Sequence, residues 1–354
     1  FIAISFSTLT GLTLSLLFIS IPFLNEITQR LFGNLDYGLL TICVLLFSYT
    51  SGLVALITDT LRGLDKIIES NKFQILCMLI SVLMVVVFVS IENELTALVS
   101  YLLLLSGVYF MLSFIYLWKA FLSEINIEGD CSKTNGSVRD FLHFSISRLP
   151  NQFIFNFIFT LPLLLISNTG NLGLVAEVGI LLTIVRAFDL LIYPLNFNLV
   201  PWISDRMRND TSKELPKSID IINFVVLCCV PFLAVCSYGM GDVLVGLLAG
   251  PKFMHLSAAA NWLLPSYFLF LILFAVRAHL DTMVKQPLLN YIGVVGALSL
   301  VAAMLVLGYE DLGNVIIALA LCFTIIGLTS YIVFVTKFDV IVLSKKFILP
   351  QVVT

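Results

Sequence analysis

GILLTIVRAFDLLIYPLNFNLVPWISDRMRN, residues 179–209, decides how this chain is read. The segment is apolar over a length that spans a bilayer, yet it carries Arg186 and Asp189 deep inside it. Pro194 and Pro201 follow, and Arg206 and Arg208 form a basic tail. A charge at hydrocarbon depth is costly, so something must repay it. On a regular helix, each residue turns by about 100°. Relative to Arg186, Thr183 then lies at about +60°, Asp189 at about −60°, Tyr193 at about −20° and Asn196 at about −80°. One face is therefore polar, and the opposite face holds Leu181, Ile184, Leu191 and Leu195. Two readings are open: a cation lining a water-filled cavity and held by Asp189 until an anionic ligand arrives, or an i, i+3 ion pair that only packs two helices. Burying an ion pair in apolar surroundings is rarely net favourable, which favours the cavity.

The whole chain has the composition of that segment. Of its 354 residues, 60% are hydrophobic and 12% charged, and the mean hydropathy is +1.06. These values exclude a soluble globular domain. Unbroken apolar runs of about 20 residues specify membrane-spanning helices rather than the alternating strands of a barrel. The fold class expected is an all-α polytopic membrane protein. None of the seven cysteines has a CxxC or metal-ligand spacing, and six sit in apolar spans: Cys43, Cys77, Cys228, Cys229, Cys236 and Cys322. They read as small buried apolar residues, with no metal site and no disulfide framework. Residue 1 already lies in an apolar run and is not Met, so the chain is expected to be truncated at its start.

Ten spans are expected, over 2–24, 38–58, 73–91, 97–118, 141–168, 174–201, 219–239, 257–276, 288–308 and 314–336. Their connections alternate in basic content. Sixteen of the nineteen Lys and Arg residues fall on one side, Arg30 and Lys252 fall on the other, and Arg186 stays within the membrane. The positive-inside rule makes the basic side cytoplasmic, so both ends of the chain face the cytoplasm. The polar stretch EINIEGDCSKTNG (124–136) divides a four-helix bundle over 1–123 from a six-helix bundle over 137–345. A weak internal repeat supports the division. Gly33 precedes Arg62 by 29 residues and Glu92 by 59, while Gly250 precedes Arg277 by 27 and Glu310 by 60. The fifth and sixth spans lack counterparts in the first half, so two helices are expected before residue 1, giving a twelve-helix, two-bundle parent.

The fifth span carries Arg148, Asn151, Gln152 and Asn156 on one broad stripe, with Pro150 and Pro162 placed to kink the helix. Arg148 reads equally as a cavity cation and as a side chain snorkelling to the interface. Asn156 suits an interhelical hydrogen bond as well as a ligand contact. Asp59, Asp65 and Asp281 read as solvated interface residues, His143 as a residue of the cytoplasmic mouth, and His255 and His279 as surface. Trp118, Trp202 and Trp262 with Tyr37, Tyr116 and Tyr309 fit an interfacial belt. No P-loop, HExxH, GxSxG or Cys/His constellation occurs, and the outer connections are short, so no enzymatic activity is expected. Nothing in the sequence suggests nucleic-acid binding.

Four segments then resemble a known family: FLHFSISRLPNQFIFNFIFTLPLLL (141–165), LLIYPLNFNLVPWISDRM (190–207), VLVGLLAGPKF (243–253) and YEDLGNVIIALALC (309–322). The chain looks like a member of the multidrug/oligosaccharidyl-lipid/polysaccharide flippase superfamily, and is most similar to its bacterial polysaccharide (O-antigen type) flippases. It departs from the family pattern at Gln152, where a Gly follows the Pro150-Asn151 pair, and at Gly313-Asn314-Val315, where Gly-Ala-Ala is usual. The resemblance implies two bundles around a central cavity lined by the fifth and sixth spans. It implies translocation of undecaprenyl-pyrophosphate-linked oligosaccharide by alternating access, for surface polysaccharide and lipopolysaccharide assembly. Arg186, Asp189, Arg148, Asn151, Gln152, Asn156 and Tyr193 would contact the substrate. No cofactor is implied beyond H+ or Na+ as a coupling ion. Membrane lipid, a polysaccharide polymerase and glycosyltransferases are the implied partners. Two alternatives remain: a cation-coupled multidrug or metabolite antiporter of the same fold, and a non-transporting scaffold of a polysaccharide assembly complex.

Overall fold

A chain with so few polar side chains must satisfy its backbone within each segment once in hydrocarbon, and helices do so without an edge. The computed structural model describes residues 38–63, 66–88, 94–125, 138–189, 199–200, 202–203, 206, 215–284 and 286–338. Among these residues every regular element is helical, and seven helices are long and apolar enough to cross a membrane. The chain is an all-α polytopic membrane protein. The expected span over 2–24, Gly33, the linker beyond residue 125, and Asp65, Tyr193, Pro194, Asn196, Pro201 and Arg208 lie outside the described residues. So do the side chains of Asp59, His143, Arg148 and Gln152.

Contacts divide the chain into two compact units at Asp140–Phe141. The first contains α1 (Gly38–Gly63), α2 (Ile67–Phe88) and α3 (Glu94–Ile125). Its interior is small. Ile57 and Leu61 of α1 meet Phe73 and Cys77 of α2 beside Tyr109 and Tyr116 of α3. The Ser70 hydroxyl crosses to the Thr58 carbonyl at 3.0 Å. Only 11% of the apolar window in Ile68–Phe88 is buried, so most of α2 is left for lipid to solvate.

The second unit begins within α4 (Val138–Ser167), which runs unbroken through Pro150 and Pro162. A turn over residues 168–170 leads to α5 (Leu172–Arg186), started by the Asn171 side chain, which accepts from the Leu174 N–H at 3.1 Å. Then come α6 (Leu215–Phe224), a π-helical turn (Val225–Cys229) and α7 (Val230–Ser237). The wider turn closes from the Val230 N–H to the Val225 carbonyl and delivers the chain to Pro231, which has no N–H to give. After α8 (Gly241–Leu248), Gly250 at φ +87° ends the helix, its N–H donating to Val245 O at 3.0 Å. A short 3₁₀ turn (Pro251–Leu256) precedes α9 (Ser257–Met283), α10 (Leu288–Leu307) and α11 (Leu312–Phe338).

The span expected over 174–201 is helical over Leu172–Arg186 and turns at Ala187 and Phe188; residues 190–198 and 201 lie outside the described residues. The last turn tightens: the Ala187 N–H is shared between Thr183 O and Ile184 O, and the Phe188 N–H donates to Val185 O at 3.1 Å. A 3₁₀-like turn brings residues three apart nearly into line, which sets Asp189 on the side of Arg186.

The helices α9 and α11 form the centre of the second unit. The Pro251–Met283 span is 61% buried and Leu312–Phe338 is 50% buried, against 22% for Ser218–Ser237. Small residues permit their contact. At Gly327 of α11, a Cβ would collide with the Leu269 carbonyl of α9. At Gly296 of α10 it would collide with Ile326 of α11. Because the obstacle at Gly327 is backbone, Gly327→Ala is expected to cost about 1–3 kcal/mol. Intrinsic tryptophan fluorescence during thermal unfolding in detergent should show a lowered midpoint. Gly107→Ala in α3, where a Cβ meets nothing within 4 Å, should leave it unchanged or raised.

Candidate functional site

The strongest convergence of polar groups in the second unit lies where α5 ends. By helical rise, Arg186 is about 21 Å from the start of α5. Its side chain is 51% exposed, whereas the Asp189 side chain is 9% exposed. The two approach no closer than 3.9 Å, from Arg186 Nε to Asp189 Oδ2, which is an ion pair but too long for a hydrogen bond. The guanidinium instead lies over the Phe159 ring of α4, 4.9 Å from its centroid.

Asp189 is held by a residue that the sequence did not point to. The Tyr267 hydroxyl, on α9, donates to Asp189 Oδ1 at 2.5 Å. Tyr267 is fully buried and wedged in an aromatic group. Phe270 and Phe323 lie 5.3 and 5.2 Å from its ring, and Phe159 stands edge-on at 6.5 Å. Phe159 therefore touches both the cation and the phenol. Four helices meet at the site: α4 supplies the ring beneath the arginine, α5 the arginine, with Asp189 just beyond its end, α9 the phenol and α11 the wall behind it.

The other expected contact residues fall in different surroundings. Asn156 is exposed, and about 60° of helix turn separates it from Phe159, so it shares that face of α4. Asn151 is 5% exposed. It lies toward the side of Ile154 and Ile158, which meet Gly293 and Gly296 of α10, and its Oδ1 has no hydrogen-bond partner. The structure thus divides the expected stripe. Thr183 is exposed beside Arg186 and bonds within its own helix, to Gly179 O at 2.8 Å. A cavity of about 590 Å³ runs along the adjoining face of α5, lined by Gly179, Thr183 and Ala187 with Leu248 and Phe253. A second, of about 680 Å³, lies away from Arg186 between α9 and α11 and is almost wholly apolar.

Several other expectations need correction. His279 was expected at the surface but is fully buried, with Nε2 3.0 Å from the Ser218 hydroxyl of α6 and its ring edge-on to Phe334 and Phe338 of α11. An amphipathic reading puts a lone imidazole outside, and only the partner on α6 makes the inside affordable. His255 is exposed as expected and meets Glu177 of α5 at 3.1 Å. Asp281 is half-buried in an i, i+4 pair with Arg277 at 3.4 Å. Cys228, Cys229 and Cys236 are exposed rather than buried, because α6 and α7 lie at the unit's edge.

No protein-family model matches the chain, and neither does any curated protein sequence. Among solved structures, the chain is similar to the crystal structure of the Vibrio cholerae MATE transporter VcmN in an aspartate-to-asparagine variant. The TM-score is 0.70 at 12% identity, over 96% of this chain and 78% of that one. The two share a fold.

The Tyr267–Asp189 bond carries a stability prediction. Asp189→Ala removes the phenol's acceptor and should cost about 1.5–3 kcal/mol, seen as a lower unfolding midpoint in detergent. Asp189→Asn keeps an acceptor and should recover most of the loss. Thr183→Ala should stay within about 0.5 kcal/mol of the unaltered chain.

Proposed function

We propose that the protein is an inner-membrane flippase that translocates undecaprenyl-pyrophosphate-linked oligosaccharide repeat units by alternating access, with both ends of the chain cytoplasmic. The observation that carries this reading is the state of Arg186. It presents a half-exposed guanidinium whose carboxylate partner stands 3.9 Å off. A weakly hydrated guanidinium that forms no hydrogen bond to a described residue suits pyrophosphate or an acidic sugar, which it grips through paired charge-assisted hydrogen bonds. The same charge opposes the passage of lipophilic cations, and this weighs against the multidrug antiporter that the shared fold equally allows. Asp189 is then the resident counter-ion, balancing the charge of Arg186 from 3.9 Å while an anion takes the guanidinium's donors. Arg148, Asn151, Gln152, Asn156 and Tyr193 are the further candidates for contact with the polar sugars. H+ or Na+ is the candidate coupling ion, and a polymerase and glycosyltransferases are the candidate partners.

The test is complementation of a flippase-deficient strain with the full-length protein. Arg186→Ala is expected to reduce surface polysaccharide by about tenfold or more, the consequence of losing one charge-assisted contact of about 1.4 kcal/mol or above. Arg186→Lys, which keeps charge but loses the planar fork, should fall between. Full complementation by Arg186→Ala would overturn the substrate role. A scaffold would tolerate every substitution around Arg186 and fail only on changes to its cytoplasmic loops.

A further inference from the structure

We infer that Tyr267 is a positioning residue: by holding Asp189, it keeps the Arg186 guanidinium open to an anionic ligand. The inference rests on the reading of Arg186 given above. A carboxylate three residues beyond an arginine, across a tightened helix end, would by default close on the guanidinium in a two-point pair. Arg186 and Asp189 have not closed. Their nearest approach is 3.9 Å through Nε alone, and the guanidinium forms no hydrogen bond to a described residue. Two neighbours oppose closure. Phe159 holds the guanidinium plane from one side at 4.9 Å, and Tyr267 draws Asp189 Oδ1 toward α9 with a 2.5 Å hydrogen bond. The phenol cannot follow the carboxylate out, because Phe159, Phe270 and Phe323 surround its ring. Asp189 therefore neutralises the site at a distance while leaving the arginine's donors for a ligand. Without the phenol, the buried carboxylate keeps Arg186 as its counter-charge and closes on it, and an incoming anion must then break that pair. The class of ligand is an oxyanion, such as a pyrophosphate.

The test uses the full-length purified protein in nanodiscs and measures equilibrium binding of a polyprenyl pyrophosphate. Inorganic pyrophosphate and the matching uncharged polyprenol serve as the other two probes, which separate a lipid headgroup from a free anion. Tyr267→Phe keeps the ring's shape and is expected to weaken polyprenyl pyrophosphate binding by about tenfold, with polyprenol unaffected. Tyr267→Phe combined with Asp189→Asn should regain most of that binding, since a neutral amide does not clamp the guanidinium. Asp189→Asn alone, with Tyr267 intact, should bind as well as the unaltered protein or better, and this variant tests the idea even if Tyr267→Phe does not fold. A double variant no better than Tyr267→Phe would make Tyr267 merely structural and overturn the inference, as would an unchanged Tyr267→Phe. Loss of binding in Asp189→Asn as severe as in Arg186→Ala would also overturn it. If Arg186→Ala itself binds normally, the reading of Arg186 fails and this inference falls with it. If Arg186→Ala loses binding and Tyr267→Phe does not, only the inference fails. Inorganic pyrophosphate binding as tightly as the lipid would assign the site to a free anion, contrary to the lipid-linked substrate.

Discussion

A carboxylate in hydrocarbon must find its partners within the protein, and the way Asp189 finds them organises the second unit. One oxygen takes the Tyr267 hydroxyl and the other faces Arg186, so one side chain ties the end of α5 to the middle of α9. The same constraint recurs along both central helices. His279 of α9 meets Ser218 of α6, Tyr331 of α11 donates to Asn223 at 2.9 Å, and Asn261 of α9 accepts from the Gly239 and Gly241 N–H groups at 3.0 and 2.7 Å. Each link joins a peripheral element to α9 or α11, the two most buried spans. Interhelical hydrogen bonds in membranes are worth only about 0.6 kcal/mol on average, so they do not hold the bundle together alone. Dispersion at the close approaches of Gly327 and Gly296 supplies cohesion, and the polar links fix which register that cohesion selects.

Arginine suits this position for reasons beyond its charge. Its planar, weakly hydrated group can lie flat on Phe159 and still direct donors sideways. The aromatic cluster beneath is therefore both a wall and a platform: it sets the plane of the cation and confines the phenol that restrains the anion.

Much of this was legible in the sequence, and the rest fails for identifiable reasons. Apolar runs place the seven helices long enough to cross a membrane, since their length follows from the bilayer's thickness. The pairing of Arg186 with Asp189 follows from their spacing of three. Tyr267 was not legible. It is one phenol among many aromatics, 78 residues from its acceptor, and nothing local marks it. The turn at Ala187–Phe188 escaped as well, because the apolar pattern continues past it. His279 and the exposed cysteines of the π-helical turn and α7 failed together. In lipid, outward-facing positions are apolar too, so hydrophobicity no longer separates inside from outside.

That inversion bears on how the chain carries information. Along α2, Leu79, Val82, Leu83 and Val86 face outward, and on α10 Leu298, Leu305 and Val306 do the same. Lipid asks of such positions only that they be greasy, so one branched aliphatic replaces another at almost no cost. A few positions are of the opposite kind: Gly327 and Gly296 admit no added carbon, and Asp189 and Tyr267 need each other's chemistry. Relatives of this chain can therefore diverge freely over most of their length while the architecture stays intact, and kinship is written in a sparse alphabet of glycines and paired polar residues.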